Sequence, residues 1–296
     1  MLKTWVRTGL VLLFLCSVPV LPSLAAGRGE CLTARSAILG GPVAYCALLP
    51  PSYDQDRARR YPVLYYLHGL GDNEQMFLRS GGWSMVQQLW DEGLLGEFII
   101  VTPRGGASFY LNSRDGQYLY SDFLLQEFLP YIENRYRIRP GRASRGIAGI
   151  SMGGYGALRL AFSRPDLFGS VATHSAALVP EMPNISAGTS ARGAMRFFAE
   201  VFGSPVDRAF WDRNNPLALA RAARLAALKI YFDCGAQDEY GFETGAQALH
   251  NVLTSRRVAH EFHIYPGGHD WEYFAEYLPA SLGFHSRAFG LTQPAR

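Results

Sequence analysis

From residue 63 onward, short apolar runs alternate with longer stretches whose apolar residues recur at helical spacing. The runs at 63–67, 98–102, 146–150, 170–173, 230–233 and 262–265 have the length and composition of strands. Between them, 83–92, 123–136, 154–163, 217–228 and 242–253 read as helices. Two earlier runs, 32–39 and 43–49, flank Gly40-Gly41-Pro42, a hairpin turn. Strands that alternate with helices imply an α/β fold with a mostly parallel sheet, covered by helices on both faces. The segment 177–215 departs from the alternation and is rich in Gly, Pro, Ser and aromatic residues. It reads as an excursion over the sheet, within one domain spanning 26–296.

The first 25 residues follow a different pattern. Lys3 and Arg7 precede an unbroken apolar run from Leu10 to Leu15; Pro19 and Pro22 follow, then Ser23 and Ala25. This is the layout of a secretory signal peptide cut after Ala25. An uncleaved membrane anchor is the alternative, but the apolar run is short for a span. Cys16 suggests a lipoprotein, yet Leu15 before it is too bulky for the usual lipobox. The chain is therefore expected outside the cytoplasm, secreted or periplasmic, with no stable membrane anchor. Cleavage would take the net charge from +3 to +1, and no basic run offers a nucleic-acid surface. With 48% hydrophobic residues the chain can bury a full core, which excludes a disordered or fibrous class. Beyond the leader it holds Cys31, Cys46 and Cys234. An exported protein can keep disulfides. A Cys31–Cys46 bridge across the hairpin is within reach, and three free thiols are the alternative. No Cys/His spacing suggests zinc.

Gly149-Ile150-Ser151-Met152-Gly153 is a G-x-S-x-G pattern entered from an apolar strand and left by a small-residue helix. That is the setting of a nucleophile elbow, a sharp turn that lifts the serine Oγ above the sheet edge. A plain glycine-rich turn with a helix-capping serine is the bland alternative. A serine hydroxyl needs a general base, and the base needs an orienting acid. His269 is the candidate base: it follows the last strand in Pro266-Gly267-Gly268-His269-Asp270-Trp271. His174 is the alternative. Asp238, in the loop past the run 230–233, is the candidate acid, with Asp233 and Asp270 as alternatives. The oxyanion hole needs two backbone N–H groups. Met152, after the nucleophile, offers one, and Leu70 in His68-Gly69-Leu70 offers the other. This chemistry calls for no cofactor and no metal.

The sequence resembles the esterase D branch of the α/β-hydrolases, which includes S-formylglutathione hydrolases, feruloyl and acetyl esterases and antigen 85 mycolyltransferases. The resemblance rests on Leu67-His68-Gly69-Leu70, Ser108-Phe109-Tyr110-Leu111-Asn112-Ser113, the run from Gly149 to Ala157, Cys234-Gly235-Ala236-Gln237-Asp238 and Gly267-Gly268-His269-Asp270-Trp271. These pieces stand in family order from about Leu32 to Phe284. The resemblance implies Ser151 as nucleophile, His269 as base, Asp238 as acid, and Leu70 and Met152 at the oxyanion positions. It leaves the substrate open, because this branch uses one core for many acyl groups. Two departures matter. Mycolyltransferases carry an acidic residue where this chain has His68, and S-formylglutathione hydrolases are typically cytosolic, whereas this chain opens with an export signal. The expectation is an exported serine carboxylesterase acting on a small-molecule or carbohydrate ester. A glutathione thioesterase and a non-enzymatic binding protein are the competing classes.

Overall fold

The computed structural model describes residues 26–182 and 194–291, so the leader read at 1–25 lies outside the described residues. Its strands are β1 (Arg28–Ser36), β2 (Gly41–Leu49), β3 (Val63–Leu67), β4 (Ile99–Pro103), β5 (Arg145–Ile150), β6 (Ser170–His174), β7 (Lys229–Gly235) and β8 (Glu261–Tyr265). They form a single sheet in the order β1-β2-β4-β3-β5-β6-β7-β8. From β4 to β8 all pairings are parallel; β2 runs antiparallel to both β1 and β4.

The helices are α1 (Met76–Arg79), α2 (Gly82–Asp91), α3 (Tyr120–Asp122), α4 (Leu129–Arg135), α5 (Met152–Ser163), α6 (Ala194–Phe202), α7 (Arg208–Asn214), α8 (Pro216–Ala222), α9 (Phe242–Ser255) and α10 (Trp271–Ala288). A π-helical stretch, Phe123–Phe128, joins α3 to α4. Side chains of β3 alternate between two cores, as a pleated strand requires. Val63, Tyr65 and Leu67 enter the core shared with α5 and α9, whereas Leu64 and Tyr66 enter the one shared with α2 and α10. Both faces are covered, which is why this strand reads as a continuous apolar run rather than an alternating one. The fold is that of an α/β-hydrolase.

Several elements depart from the sequence expectation. The strand β1 runs Arg28–Ser36, where the apolar run pointed to 32–39. The helix expected at 217–228 ends at Ala222, because the Arg256 guanidinium takes the carbonyls of Ala220 and Ala223 at 2.5 and 2.9 Å and the chain turns there toward β7. Among the described residues, the excursion holds two helices, α6 and α7. Its buried aromatics Phe198, Phe202 and Trp211 pack on one another and, in part, on Phe109. The helix α10 was not expected at all: Pro279 and Gly283 interrupt its composition, yet Phe274, Leu278 and Leu282 recur at helical spacing and are buried. At the sheet edge, Cys31 pairs directly with Cys46 across β1 and β2, and the two form a disulfide with Cα atoms 4.0 Å apart. Cys234 is a free, buried thiol.

Candidate active site

Ser151 occupies the single residue between β5 and α5, with φ 53° and ψ −120°. A non-glycine residue in that region is strained, and such strain concentrates at functional turns. The two flanking glycines make the turn possible. A Cβ on Gly149 would lie 2.4 Å from the Gly153 carbonyl carbon, and one on Gly153 would lie 2.1 Å from the Leu67 carbonyl oxygen. Any side chain at either position would push α5 off the sheet.

Ser151 Oγ lies 2.9 Å from His269 Nε2, and His269 Nδ1 lies 2.7 Å from Asp238 Oδ2. The structure thus brings together three residues from the ends of three different strands. His269 sits in the loop between β8 and α10, and two neighbours of Asp238 fix that loop's backbone. Gly267 N–H donates to Gln237 Oε1 at 2.8 Å, and His269 N–H donates to Glu239 Oε2 at 2.7 Å. Three successive side chains, Gln237, Asp238 and Glu239, therefore hold two backbone positions and one imidazole. Tyr240, Phe242 and Phe274 pack edge-on against the His269 ring at 4.8, 5.4 and 5.4 Å. Burial pushes the Asp238 carboxyl up. The bond and charge of His269, with the Tyr240 N–H and the Ser175 hydroxyl, outweigh it and hold the group below its ordinary value.

Leu70 and Met152 line the same pocket, a cavity of about 350 Å³ that also holds Ser151 and His269. Met152 opens α5, so its N–H has no partner within the helix. Leu70 follows a strand end anchored by His68. Gly105 N–H donates to His68 Nε2 at 2.8 Å, so the other nitrogen carries the proton and donates to the Gly69 carbonyl at 2.8 Å. Burial lowers the His68 pKa, which favours the neutral ring that this pattern requires. The Tyr110 hydroxyl donates to the His68 carbonyl at 3.1 Å, and Phe109 and Tyr110 reach their places through positive φ values of 50° and 57°. The Ser108–Ser113 segment singled out in the sequence is thus a buttress for the Leu70 loop.

The alternatives raised from sequence are placed elsewhere. His174 is fully buried, with Nδ1 on Asp233 and Nε2 on Ser281, which leaves no nitrogen for Ser151. Asp233 also accepts from the hydroxyls of Tyr231 and Tyr273, so it ties β6, β7 and α10 together. Asp270 caps α10 by accepting from Tyr273 N–H. Cys234 lies 3.6 Å from Asp238 Oδ2, and burial pushes its thiol up to about 12. Sequence reasoning quoted Gln237 and Tyr110 within motifs but gave them no role, and it missed Glu239, which only its place next to Asp238 marks. Among the described residues, no group of three or more His, Cys, Asp or Glu side chains is arranged to hold a metal ion.

Comparison with known proteins places this geometry. The family model described as "Putative esterase" matches residues 36–285. The esterase Rv1288 of Mycobacterium tuberculosis is 30% identical over 243 residues, which cover 75% of this chain and 51% of that protein. The chain therefore spans about half the length of that relative. A solved ferulic acid esterase aligns with a TM-score of 0.78 at 30% identity, covering 90% of this chain and 100% of that one. An S-formylglutathione hydrolase from Agrobacterium tumefaciens aligns with a TM-score of 0.72 at 20% identity, covering 90% and 96%, a likeness of fold.

Proposed function

The chain belongs to the putative esterase family, and on that footing we propose that it is an exported serine carboxylesterase hydrolysing short or compact acyl esters through an acyl-enzyme. One observation carries the reading: the unbroken line from Ser151 Oγ through His269 to Asp238, open to a pocket that Leu70 and Met152 also line.

In this mechanism Ser151 Oγ attacks the ester carbonyl while His269 Nε2 takes its proton. Asp238 holds the other imidazole nitrogen and stabilises the imidazolium that forms. The N–H groups of Leu70 and Met152 donate to the oxyanion of the tetrahedral intermediate. His269 then protonates the departing alcohol. A water molecule, deprotonated by His269, attacks the acyl carbon and releases the acid. Gln237 and Glu239 keep the His269 backbone in register, so the imidazole needs little reorganisation between steps.

The pocket supports the acyl preference. Its walls include Phe109, Phe242, Trp271 and Phe274, and its volume of about 350 Å³ suits a small or planar acyl group better than a long chain. The likeness to a ferulic acid esterase points the same way. The leader at 1–25 and the Cys31–Cys46 disulfide support export.

The test is kcat/KM for p-nitrophenyl acetate, butyrate and dispersed palmitate, with methyl ferulate and S-formylglutathione alongside. Acetate, butyrate or ferulate should be hydrolysed best. A preference for palmitate would replace the compact-acyl reading with a lipase one, preference for the thioester would favour a thioesterase, and no hydrolysis of any would overturn the enzyme reading.

A further inference from the structure

Two acidic residues, Asp72 and Asp270, line the pocket over Ser151, and, among the described residues, no lysine or arginine does. Asp270 is engaged as the cap of α10. Asp72 is not: its N–H closes a turn on the Gly69 carbonyl at 3.3 Å, while its carboxylate forms no hydrogen bond or ion pair among the described residues. Its surroundings push the carboxyl above its ordinary value, and desolvation is the only cause. Nothing in the fold therefore requires a charge at this position.

The placement of that charge is specific. A Cβ built on Gly69 would lie 3.5 Å from Asp72 Oδ2 and 3.6 Å from Ser151 Cβ. The carboxylate oxygen and the nucleophile's Cβ are therefore no farther apart than the sum of those two distances. Leu70, whose N–H faces the developing oxyanion in the mechanism above, belongs to the same turn. A bare carboxylate there opposes the negative charge of the transition state unless the substrate brings a positive or hydrogen-bond-donating group to it.

We propose that Asp72 is a specificity-determining residue that selects esters carrying a hydroxyl donor or a cationic ammonium group close to the scissile carbonyl and rejects esters carrying a carboxylate there. This rests on the esterase reading and deepens it, because it names the class of substrate. Hydroxyl-rich esters such as those of polyols and sugars fit, and dicarboxylic half-esters do not. A unit charge on the substrate about 7 Å from the Asp72 carboxylate would alter the rate by about threefold at the dielectric of water and by about fiftyfold at the effective dielectric of about 20 typical near a protein surface.

The test compares matched pairs at pH 8: p-nitrophenyl hemisuccinate against p-nitrophenyl butyrate, glyceryl monoacetate against propyl acetate, and acetylcholine against 3,3-dimethylbutyl acetate. Each is read as a ratio of kcat/KM values in the wild type, in Asp72→Asn and in Asp91→Asn, an exposed acid on α2 that does not line the pocket. Asp72→Asn should raise the hemisuccinate ratio by at least about threefold, and high salt should shrink the wild-type discrimination. It should also lower the glyceryl ratio, the choline ratio or both, which tells whether the recognised group is a hydroxyl or a cationic ammonium. Ratios that stay within about twofold in Asp72→Asn, or that move equally in Asp91→Asn, would overturn the proposal. Its failure is distinct from failure of the esterase reading, which would appear as no hydrolysis of the neutral esters by the wild type and would remove both.

Discussion

Asp233 and Asp238 leave the same strand region with opposite tasks. Asp233 accepts from His174, Tyr231 and Tyr273 in a site closed to solvent, whereas Asp238 turns to the imidazole of His269. Asp238→Asn should lower kcat by about 10³–10⁴, since an amide there favours the wrong His269 tautomer, while the melting temperature changes little. Asp233→Asn should cost about 3 kcal/mol by leaving donors unpaired in a buried network, while the folded fraction keeps its rate within a few-fold. Thermal denaturation together with kcat per active site separates the two, and the reverse pattern would reassign the acid. Ser151, His269 and Asp238 were legible in the sequence because each stands in a local pattern just past a strand, in the order Ser, Asp, His. Gln237 and Glu239 were not, because their role is to accept from backbone N–H groups of a loop distant in sequence, and no composition signal encodes that contact. His174 shows the opposite error. A histidine near the nucleophile in sequence is a sensible alternative base until both its nitrogens are found engaged.

At the scale of elements, strands were read more faithfully than helices. The bounds of β3 match the apolar run at 63–67, because a strand buried on both faces leaves an uninterrupted signal. The end of α8 and the whole of α10 depended on features outside their own sequence: the reach of Arg256 to α8 carbonyls, and packing of Phe274, Leu278 and Leu282 strong enough to keep Pro279 inside a helix. The β1–β2 hairpin gives a second test. Cys31 and Cys46 close a separation of 15 residues and neither lines the pocket. A loop of that size constrains the unfolded chain by about 3 kcal/mol. Replacing both with serine should lower stability by about 2–4 kcal/mol in urea titration and leave kcat/KM for p-nitrophenyl acetate unchanged. Peptide mapping without reductant should find one linked pair and a free Cys234. Native protein in which Cys31 and Cys46 both alkylate freely would contradict the bridge.

The whole molecule arranges chemistry at one edge of a single sheet. Ser151, Asp238 and His269 sit beyond the carboxyl ends of β5, β7 and β8, and Leu70 beyond that of β3, where open α/β sheets bind ligands. The two hydrophobic cores pack these strands together, and the turns beyond their ends, with the first residue of α5, supply every group that the mechanism uses. Every step of the mechanism turns on Ser151 as the nucleophile of an esterase. The most direct test of that role is reaction of the purified protein with a fluorophosphonate, followed by intact mass measurement and peptide mapping, with p-nitrophenyl acetate turnover measured in parallel. The expected result is one adduct per chain, on Ser151, with loss of turnover, and a Ser151→Ala variant that folds, takes up no label and loses several orders of magnitude in kcat. An adduct on a different serine, or a Ser151→Ala variant that keeps more than about a tenth of the wild-type rate, would contradict the account.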